Sequence, residues 1–303
     1  MLWKILVPLD GSQLAEITLP YVEEMAARLD SEVTLLSVSE SKESHDYYQQ
    51  EVYIQRTADE TNTNARNHHE KPKDKDVKVD AAILTGDPSE EILQYASEQK
   101  FNLIVMATHG QSGMIVWNLG TVAKRVLRAT TRPVLLIRAK NVHPDIRKRG
   151  ILHRILVPLD GSKESEAVVP YVEDLTSKLG AEVVLFHVAA SGMYFFTDQG
   201  ASTVPQAGDK VKKQERDAVN YLTTVANKLK EKGIRVNFEV RYGRSPAEEI
   251  IKYRREIYAD MVAMSSHGRA GVKRWALGSV TDKVLDAGYA HFLLVKLQGV
   301  VTK

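Results

Sequence analysis

Asp10 closes the apolar run Ile5-Leu6-Val7-Pro8-Leu9 and stands directly before Gly11-Ser12; Asp160 stands in the same place in the same eight letters, 150 residues later. About a hundred residues beyond each aspartate comes a second motif. The first copy reads Met106-Ala107-Thr108-His109-Gly110, then Gly113, then Gly120-Thr121-Val122. The second reads Met264-Ser265-Ser266-His267-Gly268, then Gly271, then Gly278-Ser279-Val280, so that the spacing Gly-x2-Gly-x6-Gly-[Ser/Thr] is identical. Glycines in a strand-to-helix loop permit positive φ and let backbone approach a ligand closely. A Gly-Thr or Gly-Ser pair opening a helix offers free N–H groups and a hydroxyl, which seat an anion. A carboxylate at the end of a neighbouring strand can accept hydrogen bonds from ribose hydroxyls. Together these make a mononucleotide site. The competing reading is that the glycines serve only tight turns and Thr121 only caps a helix, because duplication copies inert turns as faithfully as working ones.

Other nucleotide motifs are missing: the chain has neither Gly-x4-Gly-Lys-[Ser/Thr] nor Gly-x-Gly-x2-Gly. Where phosphates would lie, the copies differ. After Gly113 the first reads Met-Ile-Val-Trp-Asn-Leu, without a cation, whereas the second places Arg269, Lys273 and Arg274 around the same segment. Phosphate needs compensating charge, and arginine supplies it in fork geometry, so the second site is expected to bind more tightly. The alternative is that these are solvated surface cations. His68-His69 lacks the i, i+4 spacing of helical metal ligands and reads as solvated surface. His109 and His267 read as ties between loop and scaffold, and Trp117 and Trp275 as packing residues.

The elements that must position these groups alternate. Residues 4–9, 32–38, 77–84, 103–107 and 134–138 are short, continuously apolar stretches predicted as strands. Residues 13–29, 41–75, 88–100 and 119–129 read as the helices between them, the second with a loose solvated end. Alternation of this kind demands a parallel sheet covered on both faces. The fold class is therefore α/β, with two Rossmann-like domains, each a five-stranded parallel sheet flanked by helices. Pro20 and Pro170 fall inside helical stretches and predict a kinked first helix in each copy. The repeat offset changes from 150 at Pro20-Tyr21-Val22-Glu23 to 158 at Glu90-Glu91-Ile92, so the second copy carries about eight extra residues in its middle. Domain 1 is expected over residues 1–140, a polar basic linker over 141–152, and domain 2 over 153–303.

Composition narrows the function classes. With 303 residues the chain has room for two domains. Its 41 Lys+Arg against 39 Asp+Glu leave a formal charge of +2, which implies no nucleic-acid surface. Zero cysteines exclude disulfides, thiolate metal sites and cysteine catalysis. No run approaches the ~20 apolar residues that cross a bilayer, and the N-terminus reaches charge too early for a signal sequence. A cytoplasmic protein without membrane partners is expected.

Two copies of Ile-Leu-Val-Pro-Leu-Asp-Gly-Ser, each followed by [Ala/Ser]-[Thr/Ser]-His-Gly-x2-Gly and Leu-Gly-[Thr/Ser]-Val, resemble the universal stress protein family. The resemblance covers nearly the whole chain outside the linker and the second helices. It implies adenine nucleotide alpha hydrolase-like domains that pair through their last strands, here residues 134–138 and 292–296, as a homodimer or an intramolecular pseudo-dimer. The family's ATP-binding signature is Gly-x2-Gly-x9-Gly-[Ser/Thr]; its first glycine is Ala107 in one copy and Ser265 in the other. Carried over, Asp10 and Asp160 would meet the ribose or adenine edge. Val38 and Val188, with Met106 and Met264, would line the adenine. The glycines Gly110, Gly113, Gly120, Gly268, Gly271 and Gly278, with Thr121 or Ser279, would hold phosphates. Pro8, Leu9, Val122, Pro158, Leu159, Val280, His109 and His267, with Arg269 and Lys273, are counted among the nucleotide-binding positions. The implied ligand is ATP, with Mg2+, held for sensing or regulation in a stress response with at most weak hydrolysis. A nucleotide-free module acting through dimerisation is the alternative.

Overall fold

The computed structural model describes residues 2–43, 45–68, 71–72, 75–108, 119–139, 150–190, 205–268, 277–288 and 290–296. In the first half, β1 (Trp3–Pro8), β2 (Ser31–Ser39), β3 (Lys78–Thr85), β4 (Leu103–Ala107) and β5 (Val134–Ile137) alternate with helices α1 (Gln13–Glu16), α2 (Leu19–Arg28), α3 (His45–Arg66), α4 (Pro88–Glu98) and α5 (Thr121–Ala129). The second half repeats the order: β6 (Arg154–Pro158), β7 (Glu182–Ala190), β8 (Val236–Gly243), β9 (Met261–Ser265) and β10 (His291–Val295), with α6 (Lys163–Glu166), α7 (Val169–Leu179), α8 (Pro205–Lys230), α9 (Pro246–Glu256) and α10 (Ser279–Asp286).

All ten strands form one sheet in the order β3-β2-β1-β4-β5-β10-β9-β6-β7-β8. Within each half every pairing is parallel. The halves meet antiparallel, with Leu136 opposite Phe292 and Val134 opposite Leu294, so the expected pairing of last strands is present. The central strands β4, β5, β9 and β10 are buried along their whole length because both faces are covered, whereas the edge strands expose Lys78 and Asp80 in β3 and Asn237 and Tyr242 in β8. Ile5, Val7, Val105 and Leu135 join Ile155, Val157, Ala263 and Leu293 in one core that spans both halves. Leu6, Ile104, Met106 and Leu136 join Leu156, Val262, Met264 and Phe292 in the core on the other face.

Pro20 and Pro170 correct the expectation of a kinked helix. Each stretch is two helices, and proline occupies the first turn of the second, α2 or α7. A first-turn N–H has no intrahelical acceptor, so proline's missing donor costs nothing there. The polar segment after β2 is helical to Arg66. The linker expected over 141–152 lies outside the described residues except for 150–152.

Side chains also bind the halves. Glu24 Oε2 accepts the Ile151 N–H at 2.9 Å. At the matching place in the other half Asp174 accepts the indole N–H of Trp3. Buried His291 accepts the Arg138 N–H on Nδ1 at 3.1 Å. That leaves Nε2 to carry the proton toward Tyr21 Oη, 2.7 Å away.

Candidate functional site

In each half the chain leaves the first strand toward one side of the sheet and enters the fourth on the other, so β1/β4 and β6/β9 are switch points. Crevices at the carboxyl ends of such strands are where ligands bind in open α/β sheets. Both crevices are cavities here, of about 290 Å³ in the first half and 330 Å³ in the second. These volumes sit near the lower end of the range for small-molecule pockets, ~300–1,000 Å³.

The Asp-Gly-Ser triplet builds one wall. Gly11 and Gly161 take φ of +78° and +84°, a left-handed turn that side-chain-bearing residues resist. The turn brings Ser12 back onto Asp10, whose Oδ1 accepts both the Ser12 N–H (3.0 Å) and its hydroxyl (2.6 Å). The same hydroxyl oxygen then caps α1 by accepting the Ala15 N–H at 3.1 Å. Asp160, Ser162 and Ser165 repeat this with distances of 3.0, 2.6 and 3.1 Å. One carboxylate oxygen of each aspartate is thereby fixed, and the side chain lines its cavity.

The opposite wall is a helix start. Gly120 and Gly278 precede α5 and α10, and neither helix has a side-chain cap. By contrast α4 is capped by Asp87 and α9 by Ser245. The glycine N–H groups bond back to the loop, Gly120 to the Thr108 carbonyl and Gly278 to that of Ser266, each at 2.8 Å. In the second half that closure is tight: an added Cβ on Gly278 would lie 3.2 Å from the Ser266 carbonyl oxygen, so the backbone would have to give by a few tenths of an ångström. The following first-turn N–H groups stand at the positive helix end beside the cavity.

Between these walls lies an apolar slot. Val38, Met106 and Leu36 line it in the first half; Val188, Met264 and Phe186 line it in the second. Pro8, Leu9, Thr121 and Val122 line the first cavity, and Pro158, Leu159, His267, Gly268, Ser279 and Val280 the second. Gly268 rides directly over Asp160: a Cβ placed on it would fall 2.1 Å from Oδ2. Among the described lining residues, the ionisable ones are Asp10 in the first cavity and Asp160 and His267 in the second. Beside the second site, burial and then Glu166 hold the Tyr221 phenol well above its usual pKa; burial and Glu16 do the same to Tyr53 beside the first.

A family model described as the universal stress protein family matches residues 1–138 and again 152–296. The chain belongs to the universal stress protein family. Universal stress protein MJ0577 of Methanocaldococcus jannaschii is 29% identical over 156 residues, spanning 46% of this chain and 96% of that protein. Universal stress protein Slr1230 of Synechocystis is 22% identical over 303 residues, 93% of this chain and 95% of that one. The crystal structure of a universal stress protein from Archaeoglobus fulgidus superimposes with a TM-score of 0.69 at 22% identity, covering 97% and 98% of the two chains.

In this universal stress protein several sequence candidates, namely His109, Gly110, Gly113, Arg269, Gly271 and Lys273, together with Trp117, Arg274 and Trp275, lie outside the described residues. Motif reading missed Leu36, Phe186, Pro88 and Pro246, which also line the cavities. Of a systematic difference between the walls it noted only Ala107 against Ser265. Ala15, Ala107 and Ala123 of the first cavity stand where Ser165, Ser265 and Thr281 stand in the second. Laying the two copies side by side and reading their mismatches, instead of their matches, would have found it.

The three hydroxyls are put to use. Ser165 Oγ accepts the Asp160 N–H at 3.3 Å and donates to the Ser162 carbonyl at 2.9 Å. Thr281 Oγ1 donates to the Ser265 carbonyl at 3.1 Å, tying the first turn of α10 to the end of β9. Ser265 Oγ donates to the carbonyl of His267. The second cavity thus has side-chain hydrogen bonds at three positions where the first has alanine.

Proposed function

We propose that this universal stress protein holds an adenine nucleotide, ATP carrying Mg2+, in each cavity as a sensory or regulatory ligand. The supporting observation is the meeting of unlike walls in one crevice: a fixed carboxylate, an apolar slot and a helix start without a side-chain cap. The slot formed by Val38 and Met106, or Val188 and Met264, suits a flat base. Asp10 or Asp160 suits hydroxyl donors of the ribose, since an ionised carboxylate only accepts. The N–H groups opening α5 or α10, with the Thr121 or Ser279 hydroxyl, suit phosphate oxygens.

The described residues contain no cluster of three or more metal-ligating side chains, so in this reading Mg2+ arrives on the nucleotide's phosphates. Efficient phosphoryl transfer needs positioned cations around the transferred group. In this reading the nucleotide is a held ligand, and turnover is proposed to be slow. The second cavity is proposed to bind more tightly, because its wall is held by three extra hydroxyls and its loop sequence supplies Arg269, Lys273 and Arg274. Mass spectrometry of small molecules released from denatured purified protein tests the reading, together with calorimetric titration of ATP. Released adenine nucleotide and two binding events of unequal affinity are expected. An empty protein that takes up no ATP returns the choice to a module acting through its paired halves alone.

A further inference from the structure

Each phosphate-facing helix ends against a cation from the opposite half. Arg138, the residue after β5, donates from its guanidinium to the Leu285 carbonyl in the last turn of α10. Lys296, the residue after β10, donates from Nζ to the Arg128 carbonyl in the last turn of α5, at 2.6 Å. The two cations occupy matching positions of the repeat, 158 residues apart, yet differ in type.

Arg138 is buried, and a buried cation is costly to keep where an apolar side chain of similar length would fill the space. Its Nε meets no acceptor among the described residues. Burial, opposed by nearby Asp286, lowers its pKa to about 10, so the charge persists at neutral pH. The site is also shaped for it. Gly288 turns the chain with φ of +70°, and a Cβ there would lie 3.3 Å from Nη1. The free carbonyls of a helix end carry partial negative charge, and a cation on them fixes the helix and complements its dipole.

We infer that Arg138 and Lys296 are positioning residues acting across the pseudo-dyad: each fixes the far end of the helix whose near end takes phosphate in the other half. The inference rests on the nucleotide reading above. At 1.5 Å per residue these helices are only ~12–14 Å long. A tilt or fraying released at the last turn therefore reaches the first. The effect belongs to phosphate and not to base or ribose, which touch other elements.

Calorimetric titration of the full chain with ATP and with adenosine separates the possibilities, each cavity being isolated by filling the other. In a Val38→Trp chain only the second cavity is open. There Arg138→Met is expected to weaken ATP roughly three- to tenfold while leaving adenosine unchanged. Arg138→Lys should restore most of the loss, and Lys296→Met should have no effect. In a Val188→Trp chain the roles exchange. If Arg138→Met does not fold, the less buried Lys296 carries the test in its own cavity. Equal weakening of ATP and adenosine, or each cation acting on both cavities, would show general structural support and overturn the inference. ATP binding untouched by both variants overturns it alone, whereas a parent chain that binds no ATP overturns the nucleotide reading beneath it.

Discussion

The two cavities share a plan and differ in finish. Ala15, Ala107 and Ala123 give the first a smooth wall; Ser165, Ser265 and Thr281 give the second a wall whose loops are hydrogen-bonded to strand and helix. Leu36 in the first slot becomes Phe186 in the second, stacked on Tyr253 with ring centroids 4.6 Å apart, and Tyr253 in turn lies under the Arg241 guanidinium. In the nucleotide reading, identical motifs set where the ligand goes, while the residues between them set how firmly the place is held. A site already in its bound geometry spends less binding free energy on ordering.

The largest effect should come from filling a slot. Val188→Trp is expected to remove the tighter of two calorimetric ATP events and Val38→Trp the weaker; loss of both from either change would mean that the cavities are not independent. Next comes Gly268→Ala, whose new methyl group displaces the anchored Asp160 carboxylate. ATP affinity in the second cavity should drop about tenfold, the equivalent of ~1.4 kcal/mol. An unchanged affinity would deny Asp160 its ligand contact. Exchanging the hydroxyls is subtler. The triple change Ser165→Ala, Ser265→Ala and Thr281→Ala should bring the two affinities within a few-fold of each other. It should also reduce stability to urea by about 1 kcal/mol per lost hydrogen bond. If the gap between the sites survives it, the loop cations and not the stitched wall create the difference.

The halves also meet unequally, and pH exposes this. His291 pairs with Tyr21, whereas the matching position in the first half is Pro133. Burial, then Arg138 and Arg254, push the His291 pKa from 6.5 to about 3. Below pH 6.5 the unfolded chain takes a proton that the folded chain refuses. The stability is therefore fully present above pH 6.5 and is lost as pH falls toward 3, at up to ~1.4 kcal/mol per pH unit. His291→Asn, whose amide oxygen can accept the Arg138 N–H, should flatten the fall in melting temperature between pH 6.5 and 4.5. Parallel curves for variant and parent would place the acid sensitivity elsewhere.

Much of this was legible in the letters. Strand ends next to Asp10, Asp160, Met106 and Met264 could be placed because buried parallel strands are short apolar runs that stop abruptly at glycine or charge. The paired last strands followed from the family resemblance. Pro20 misled because helical spacing continues through Ile17 and Thr18, and periodicity does not tell a kink from a fresh start. Pro88 and Pro246 stand in the first turns of α4 and α9. That they also wall the cavities depends on how α4 and α9 lie across the sheet, which spacing along one chain does not encode. Arg138 and Lys296 carried no motif, since their acceptors lie 147 and 168 residues away.

The antiparallel contact between β5 and β10 has one more consequence. When such edges belong to separate molecules, dilution parts them and like copies can recombine. Here both edges are on one chain, so the effective concentration of one for the other is fixed by the tether. The two unlike cavities are therefore always supplied in equal number and travel as a single unit however scarce the protein becomes.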